Sequence, residues 1–259
     1  MAPNDAARAR AEVELPPVPD STILVVEVGS GAHGTGLPGK EDHDETVIWV
    51  ESAADVFRLK DAEPRAIQQR TAPEGKPSQP TDTDRNLYTL RRFLNLAVAG
   101  NPTIMLVLWA PIIQKQEHGR ELRAMADAFV GRHLIPKYRG YMQAQTDRLL
   151  GLRGGRHGRM RETDAGFDTK YAMHAARLGF QAIEVLRTGK LELPIQDPAG
   201  QWLKDVRGGK IPMTEITNRI DELHRTLDEL ANDESIPPGP DKARIIDWSI
   251  RTHQRWWSA

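Results

Sequence analysis

The sequence contains no cysteine, which excludes disulfides, thiolate metal centres and a cysteine nucleophile. Neither charge is in excess: 35 Lys and Arg stand against 36 Asp and Glu, a formal net charge of -1. No strong overall field therefore draws the chain to nucleic acid or to an anionic membrane, although a local basic patch could still do so. No apolar run approaches the ~18 residues that span a bilayer. The opening stretch MAPNDAARARAEVELPPVPD lacks the apolar segment of a secretory leader and reads as a polar, proline-stiffened tail. The expected location is cytoplasmic.

What is present is enough chain, 259 residues, to bury one large core or two small ones. Thr22 to Val28 (TILVVEV) is short, β-branched and bounded by prolines and glycines, and so reads as a buried strand. Thr46 to Val50 reads as a second strand, and Asp61 to Thr83 as a loop with irregular edge structure. Arg85 to Ala99 carries Leu87, Leu90, Phe93, Leu94 and Ala97 at helical spacing, closed by Gly100 and Pro102. Ile104 to Trp109 is an apolar run that fits a strand or a buried helix. Beyond Pro111 the spacing predicts helices over Glu121 to Val130, Tyr138 to Leu150, Asp168 to Arg187, Thr214 to Ala231 and Asp241 to Trp257. The organisation expected is a tail (1–20), an αβ unit (21–115) and a helical unit packed on it (116–259).

The glycine loop is the first functional signal. Gly29-Ser30-Gly31-Ala32-His33-Gly34 follows a strand and matches the G-x-G-x-x-G of dinucleotide-binding folds, and Glu51 stands about where a ribose-binding acid would. Such a fold needs a crossover helix directly after the glycines. Here that interval holds Gly36, Pro38, Gly39 and then acids; Pro inside a helix costs ~3 kcal/mol and Gly ~1 kcal/mol. The alternative uses every feature. Gly29-Ser30 offers backbone N–H groups and a hydroxyl to phosphate oxygens. Asp42 and Asp44, two apart, project from one side of an extended chain, where a hard divalent cation can hold both ionised. That combination describes a nucleoside triphosphate site; a solvated acidic loop is the plain alternative.

At Gly29-Ser30 and Asp42-His43-Asp44 the sequence resembles the DNA polymerase beta nucleotidyltransferase superfamily, with its hG[GS] and [DE]h[DE]h signature. More closely it resembles the predicted nucleotidyltransferases associated with RNA-repair ligases. The likeness continues in Tyr88 to Leu96, Gly100-Asn101-Pro102-Thr103, Lys170-x-x-x-His174-x-x-Arg177, Arg207 and Ser235 to Asp241. The resemblance implies an α+β fold, a short mixed β-sheet followed by a mainly helical half. It implies a transfer of an NMP from an NTP to a hydroxyl acceptor, dependent on Mg²⁺ or Mn²⁺, with an RNA end such as tRNA as acceptor. Asp42 and Asp44 would ligate the metal. By its place before Tyr-x-Leu-x-x-Phe, Asp84 is the best match for the third carboxylate, with Asp82 the alternative; an Asp opening a helix would equally serve as an N-cap. Two departures stand out: His43 at a usually apolar position, and Glu45-Thr46 where many relatives carry Arg-Gly. A module that binds nucleotide or RNA without transfer is the competing class, as is transfer to a protein or small molecule.

On a wheel at ~100° per residue, Lys170, His174, Arg177, Gln181 and Glu184 fall in one narrow sector of an otherwise apolar helix. The stripe faces either solvent or a cleft where Lys170, His174 and Arg177 meet phosphate, with Glu184 as a positioning partner. Three further features carry weaker expectations. Arg153, Arg156, Arg159 and Arg161 form a glycine-arginine loop able to clamp phosphates or to stay solvated. Trp248, Trp256 and Trp257 either stack a base or dock the last helix. His33 sits within the glycine loop with its role open.

Overall fold

The computed structural model describes residues 14–36, 43–57, 66–75, 78–79, 81–152 and 165–258. Among these, five strands form one mixed sheet: β1 (Thr22–Val28), β2 (His43–Trp49), β3 (Ala66–Arg70), β4 (Thr83–Thr89) and β5 (Ile112–Lys115). Their order is β3-β4-β2-β1-β5. β1 is antiparallel to both its neighbours, β3 and β4 are antiparallel, and β2 and β4 run parallel. The helices are α1 (Gly29–His33), α2 (Ala53–Val56), α3 (Leu90–Val98), α4 (Pro102–Met105), α5 (Glu117–Ala124), α6 (Leu134–Leu149), α7 (Thr169–Thr188), α8 (Ala199–Arg207), α9 (Met213–Ala231) and α10 (Lys242–Trp257). A mixed sheet followed by a helical half is the α+β class expected.

Burial follows the alternation of the strands. Leu24, Val26 and Ile48 face the helices and join one continuous core with Phe93, Leu122, Tyr138, Ala176 and Leu223. Val25, Val47 and Leu87 face the other way, covered by Val18 and Trp49. Each such aliphatic side chain contributes roughly 1.5–3 kcal/mol by leaving water, so the helical half and the sheet stabilise one another.

Several elements differ from the sequence expectation. Arg85 to Ala99 is not one helix: β4 runs to Thr89, whose hydroxyl then caps α3 by accepting from Arg92 N at 3.2 Å. Pairing with β2 and β3 on both sides overrides the helical spacing of Leu87 and Leu90. Asp84 therefore lies within a strand and is no N-cap. β2 starts at His43, three residues before the expected start at Thr46, because its acids pair in register with β1 and β4. Ile104 to Trp109 resolves into α4 and a short 3-10 turn at Leu106–Leu108, and Glu121 to Val130 into the end of α5 and a second 3-10 turn. β5 and α8 had no counterpart. The glycine-arginine loop residues Arg153, Arg156, Arg159 and Arg161 lie outside the described residues, as does Asp42.

Candidate active site

β1 delivers the chain into the glycine turn. Gly29 adopts φ +75°, a conformation that L side chains rarely take, and α1 makes little more than one turn before Gly34 closes it at φ +67°. A Cβ on Gly29 would lie 2.8 Å from Asp44 Cγ and 2.9 Å from its Cβ, so glycine is what lets the turn close onto that carboxylate. Ser30 is half-buried. The next strand is antiparallel to β1. This settles the dinucleotide alternative, because that fold needs a parallel strand reached over a crossover helix. Glu51, its presumed ribose ligand, is buried and spent elsewhere: it accepts from Arg91 N at 3.2 Å and meets His253 Nε2 at 3.3 Å.

The carboxylates sort onto two faces of the sheet. Val28, Asp44 and Asp84 are register partners across β1, β2 and β4, which puts the two aspartates side by side on the face that carries Val26 and Ile48. Asp84 is oriented by two groups: Arg70 Nε at 3.3 Å from Oδ1 and Ser78 Oγ at 2.9 Å from Oδ2. Glu45 points to the opposite face, where it pairs with Arg85 at 2.7 Å and with His43 at 3.0 Å. The Glu45 departure from the resemblance is thus neutralised locally, away from the aspartates. Asp82 is 6% exposed and ties the β3–β4 connection together, accepting from Gln79 N at 2.7 Å and Thr71 Oγ1 at 3.1 Å. Of the two alternatives for the third carboxylate, Asp84 is the one in register with Asp44.

The polar stripe of α7 turns inward. Asp168 caps the helix through Lys170 N (2.9 Å) and Tyr171 N (3.2 Å), and Gly189 ends it. Arg177 Nη1 donates to His33 Nε2 of the glycine turn, and Gln181 meets His33 Nδ1 at 3.0 Å. Arg177 Nη2 reaches His174 Nδ1 at 3.4 Å. Glu184 accepts from Glu192 N at 2.8 Å and so anchors the loop after α7. That loop returns to the glycine turn, with Ile195 N donating to His33 O at 3.2 Å. Lys170 is exposed at the rim. Arg207, half-buried on α8, donates to Thr169 Oγ1 at 3.2 Å and adds its field to the same cluster. It appeared in the sequence only as part of the resemblance, and nothing local marked it as a neighbour of the stripe.

Among the described residues no carboxylate pairs with Arg177 or Lys170. Burial, then the charges of Arg177, Lys170 and Arg207, pushes His174 down to about 3. Burial likewise lowers Arg177 to about 10. His33 lies well below the usual histidine range for the same reasons, burial first and Arg177 second. All three shifts disfavour positive charge, and burial is the largest cause of each. The tryptophans of α10 dock it: Trp248 Nε1 donates to Glu121 at 2.9 Å, and Trp257 Nε1 to Glu51 O at 2.8 Å.

Among the described residues no cluster of three metal-ligating side chains is present, Asp42 lying outside them. The two aspartates that are described fit a divalent cation in kind: hard oxygen donors in register beside a turn that only glycine can make. No helix among the described residues is long and apolar enough to cross a membrane.

A short mixed sheet carries two aspartates in register next to a glycine-serine turn, and a helical half packs on it. The chain belongs to the RNA repair pathway DNA polymerase beta family (RlaP), whose model matches residues 6–236. It is 33% identical over 69 residues to an uncharacterized 38.9 kDa protein of the nrdC-mobD intergenic region of Enterobacteria phage T4. That match covers 27% of this chain and 20% of the phage protein. A nucleotidyltransferase-like protein from Exiguobacterium sibiricum 255-15 aligns over 82% of this chain and 69% of its own, at 12% identity and a TM-score of 0.30.

Proposed function

We propose that the protein transfers an NMP from an NTP to a hydroxyl acceptor with release of pyrophosphate, using Mg²⁺ or Mn²⁺. The observation that carries the reading is the register of Asp44 with Asp84 beside Gly29. Asp42 and Asp44 would hold the metal, with Asp84 as shared ligand or as base. The metal, when bound, supplies charge for the phosphates and acidifies the attacking hydroxyl. Ser30 and the first amides of α1, which have no intrahelical acceptor, orient the β and γ phosphates. Lys170, His174 and Arg177 balance the charge that gathers on departing pyrophosphate. The helical half closing on the sheet keeps water from competing with the acceptor.

The family's description places it in RNA repair, and on that ground the acceptor proposed is an RNA end such as tRNA, acted on in the cytoplasm. A second reading, nucleotide or RNA binding without transfer, is favoured by Arg70 and Ser78 occupying both oxygens of Asp84. Incubation with total RNA and total protein, in parallel with α- and γ-labelled NTP, separates the readings. Transfer of the α label to RNA, with Mg²⁺ required, supports the enzyme. Label on protein redirects the acceptor, and metal-independent binding without label favours the module.

A further inference from the structure

We propose that His33 is the positioning residue that aims Arg177: a neutral acceptor that fixes the guanidinium against the glycine turn without cancelling its charge. The inference rests on the phosphate-binding reading of the α7 stripe and assigns a role to a histidine outside its Lys-x-x-x-His-x-x-Arg pattern.

His33 is the last residue of α1 and 4% exposed. Burying an imidazole is costly unless both ring nitrogens are satisfied. Arginine can only donate, so Nε2, facing Arg177 Nη1, must be the nitrogen with the lone pair. The proton then sits on Nδ1 and needs an acceptor, so the amide of Gln181, whose Nε2 stands 3.0 Å from Nδ1, is turned end for end to offer its oxygen to the ring. A protonated ring would set donor against donor at Nε2. Position is enforced on the other side of the turn as well. Ile195 N holds the His33 carbonyl at 3.2 Å, and a Cβ on Gly34 would come within 2.7 Å of Pro194 Cβ. The ring is thus gripped by α7 and by the loop that follows it.

For Arg177 the consequence is specific. Its partners are His33 and His174, both neutral acceptors, the Gln181 oxygen being turned to the His33 ring, and its Nε is buried with no hydrogen-bond partner among the described residues. A carboxylate at position 33 would hold the guanidinium equally well but would neutralise it. A histidine locked as the neutral tautomer directs the guanidinium and leaves its full charge for an anion, which is preorganisation in the sense that favours polyphosphate.

Two amide substitutions separate this role from simple packing. In His33→Gln the side-chain oxygen can stand where Nε2 stands and still accept from Arg177. In His33→Asn the amide stands nearer Nδ1, reaching Gln181 but not Arg177. Binding of inorganic tripolyphosphate is measured by calorimetry, and NTP turnover by steady-state kinetics, with melting temperatures recorded for both variants. The expected result is that the Gln variant stays within about threefold of wild type. The Asn variant weakens tripolyphosphate binding and raises KM by about tenfold or more, kcat falling less and the two melting temperatures agreeing. Equal behaviour of Gln and Asn, or losses that track melting temperature, overturns the positioning role while leaving the anion site intact. Failure of the wild type itself to bind tripolyphosphate overturns the anion site and the inference with it.

Discussion

Gly29→Ala should damage function far more than stability, and the structure says by how much. At φ +75° an L-residue pays about 1–2 kcal/mol for the left-handed conformation. For a chain of this size that corresponds to roughly 2–8 °C in Tm. The new methyl would also lie 2.8 Å from Asp44 Cγ, where carbon atoms prefer about 3.5–4.0 Å. The carboxylate must therefore retreat by about 1 Å, a displacement worth about 100-fold in rate when the group positions reactants. Gly189→Ala is the control: φ is +71° there and a Cβ would meet nothing within 4 Å. Both variants should show similar losses in Tm, measured calorimetrically. Only Gly29→Ala should lose the two orders of magnitude in kcat/KM for NTP. Turnover of Gly29→Ala within threefold of Gly189→Ala would refute the claim that the turn is built around Asp44.

Two further outcomes follow from the same geometry. Asp82→Ala removes the acceptor for Gln79 N and Thr71 Oγ1, which should cost about 1–3 kcal/mol of stability by urea titration; residual activity below that of Asp84→Ala would contradict the assignment of roles. His174, held at about 3 in the folded chain, stays neutral where the unfolded chain takes up a proton. Stability should therefore fall as pH drops below about 6.5, by up to about 1.4 kcal/mol per pH unit. Urea midpoints between pH 8 and pH 5 should flatten in His174→Gln, and an unchanged slope would contradict the burial argument.

The fold was legible where one residue type dominated a short stretch. TILVVEV became β1 almost residue for residue, and the capped, apolar-faced stretch after Asp168 became α7. Sequence reading failed where pairing decided the outcome. Leu87 and Leu90 stand a helical turn apart, yet two flanking strands draw Leu87 into β4. β5 is an exposed edge strand with no alternation to reveal it. α8 follows Pro194 and Pro198 and contains Gly200, a composition that reads as loop. At the site, the α7 stripe was readable because the helix period places it, whereas Asp42 lies outside the described residues and the pairing of Asp44 with Asp84 is set by strand register rather than by any period. His33 was not readable, because its partners Arg177 and Gln181 lie about 145 residues away in sequence, with separations of 144 and 148. Nor could the sequence tell that Glu45, inside the same acidic run, would turn away to Arg85.

The most direct test of the central claim is single-turnover transfer from α-labelled NTP by wild type, Asp44→Asn and Asp84→Asn, at saturating Mg²⁺. The register of these two carboxylates predicts that each variant folds, with near-native far-UV circular dichroism, and loses at least about three orders of magnitude in rate. A properly folded Asp44→Asn protein that transfers within tenfold of wild type would contradict it.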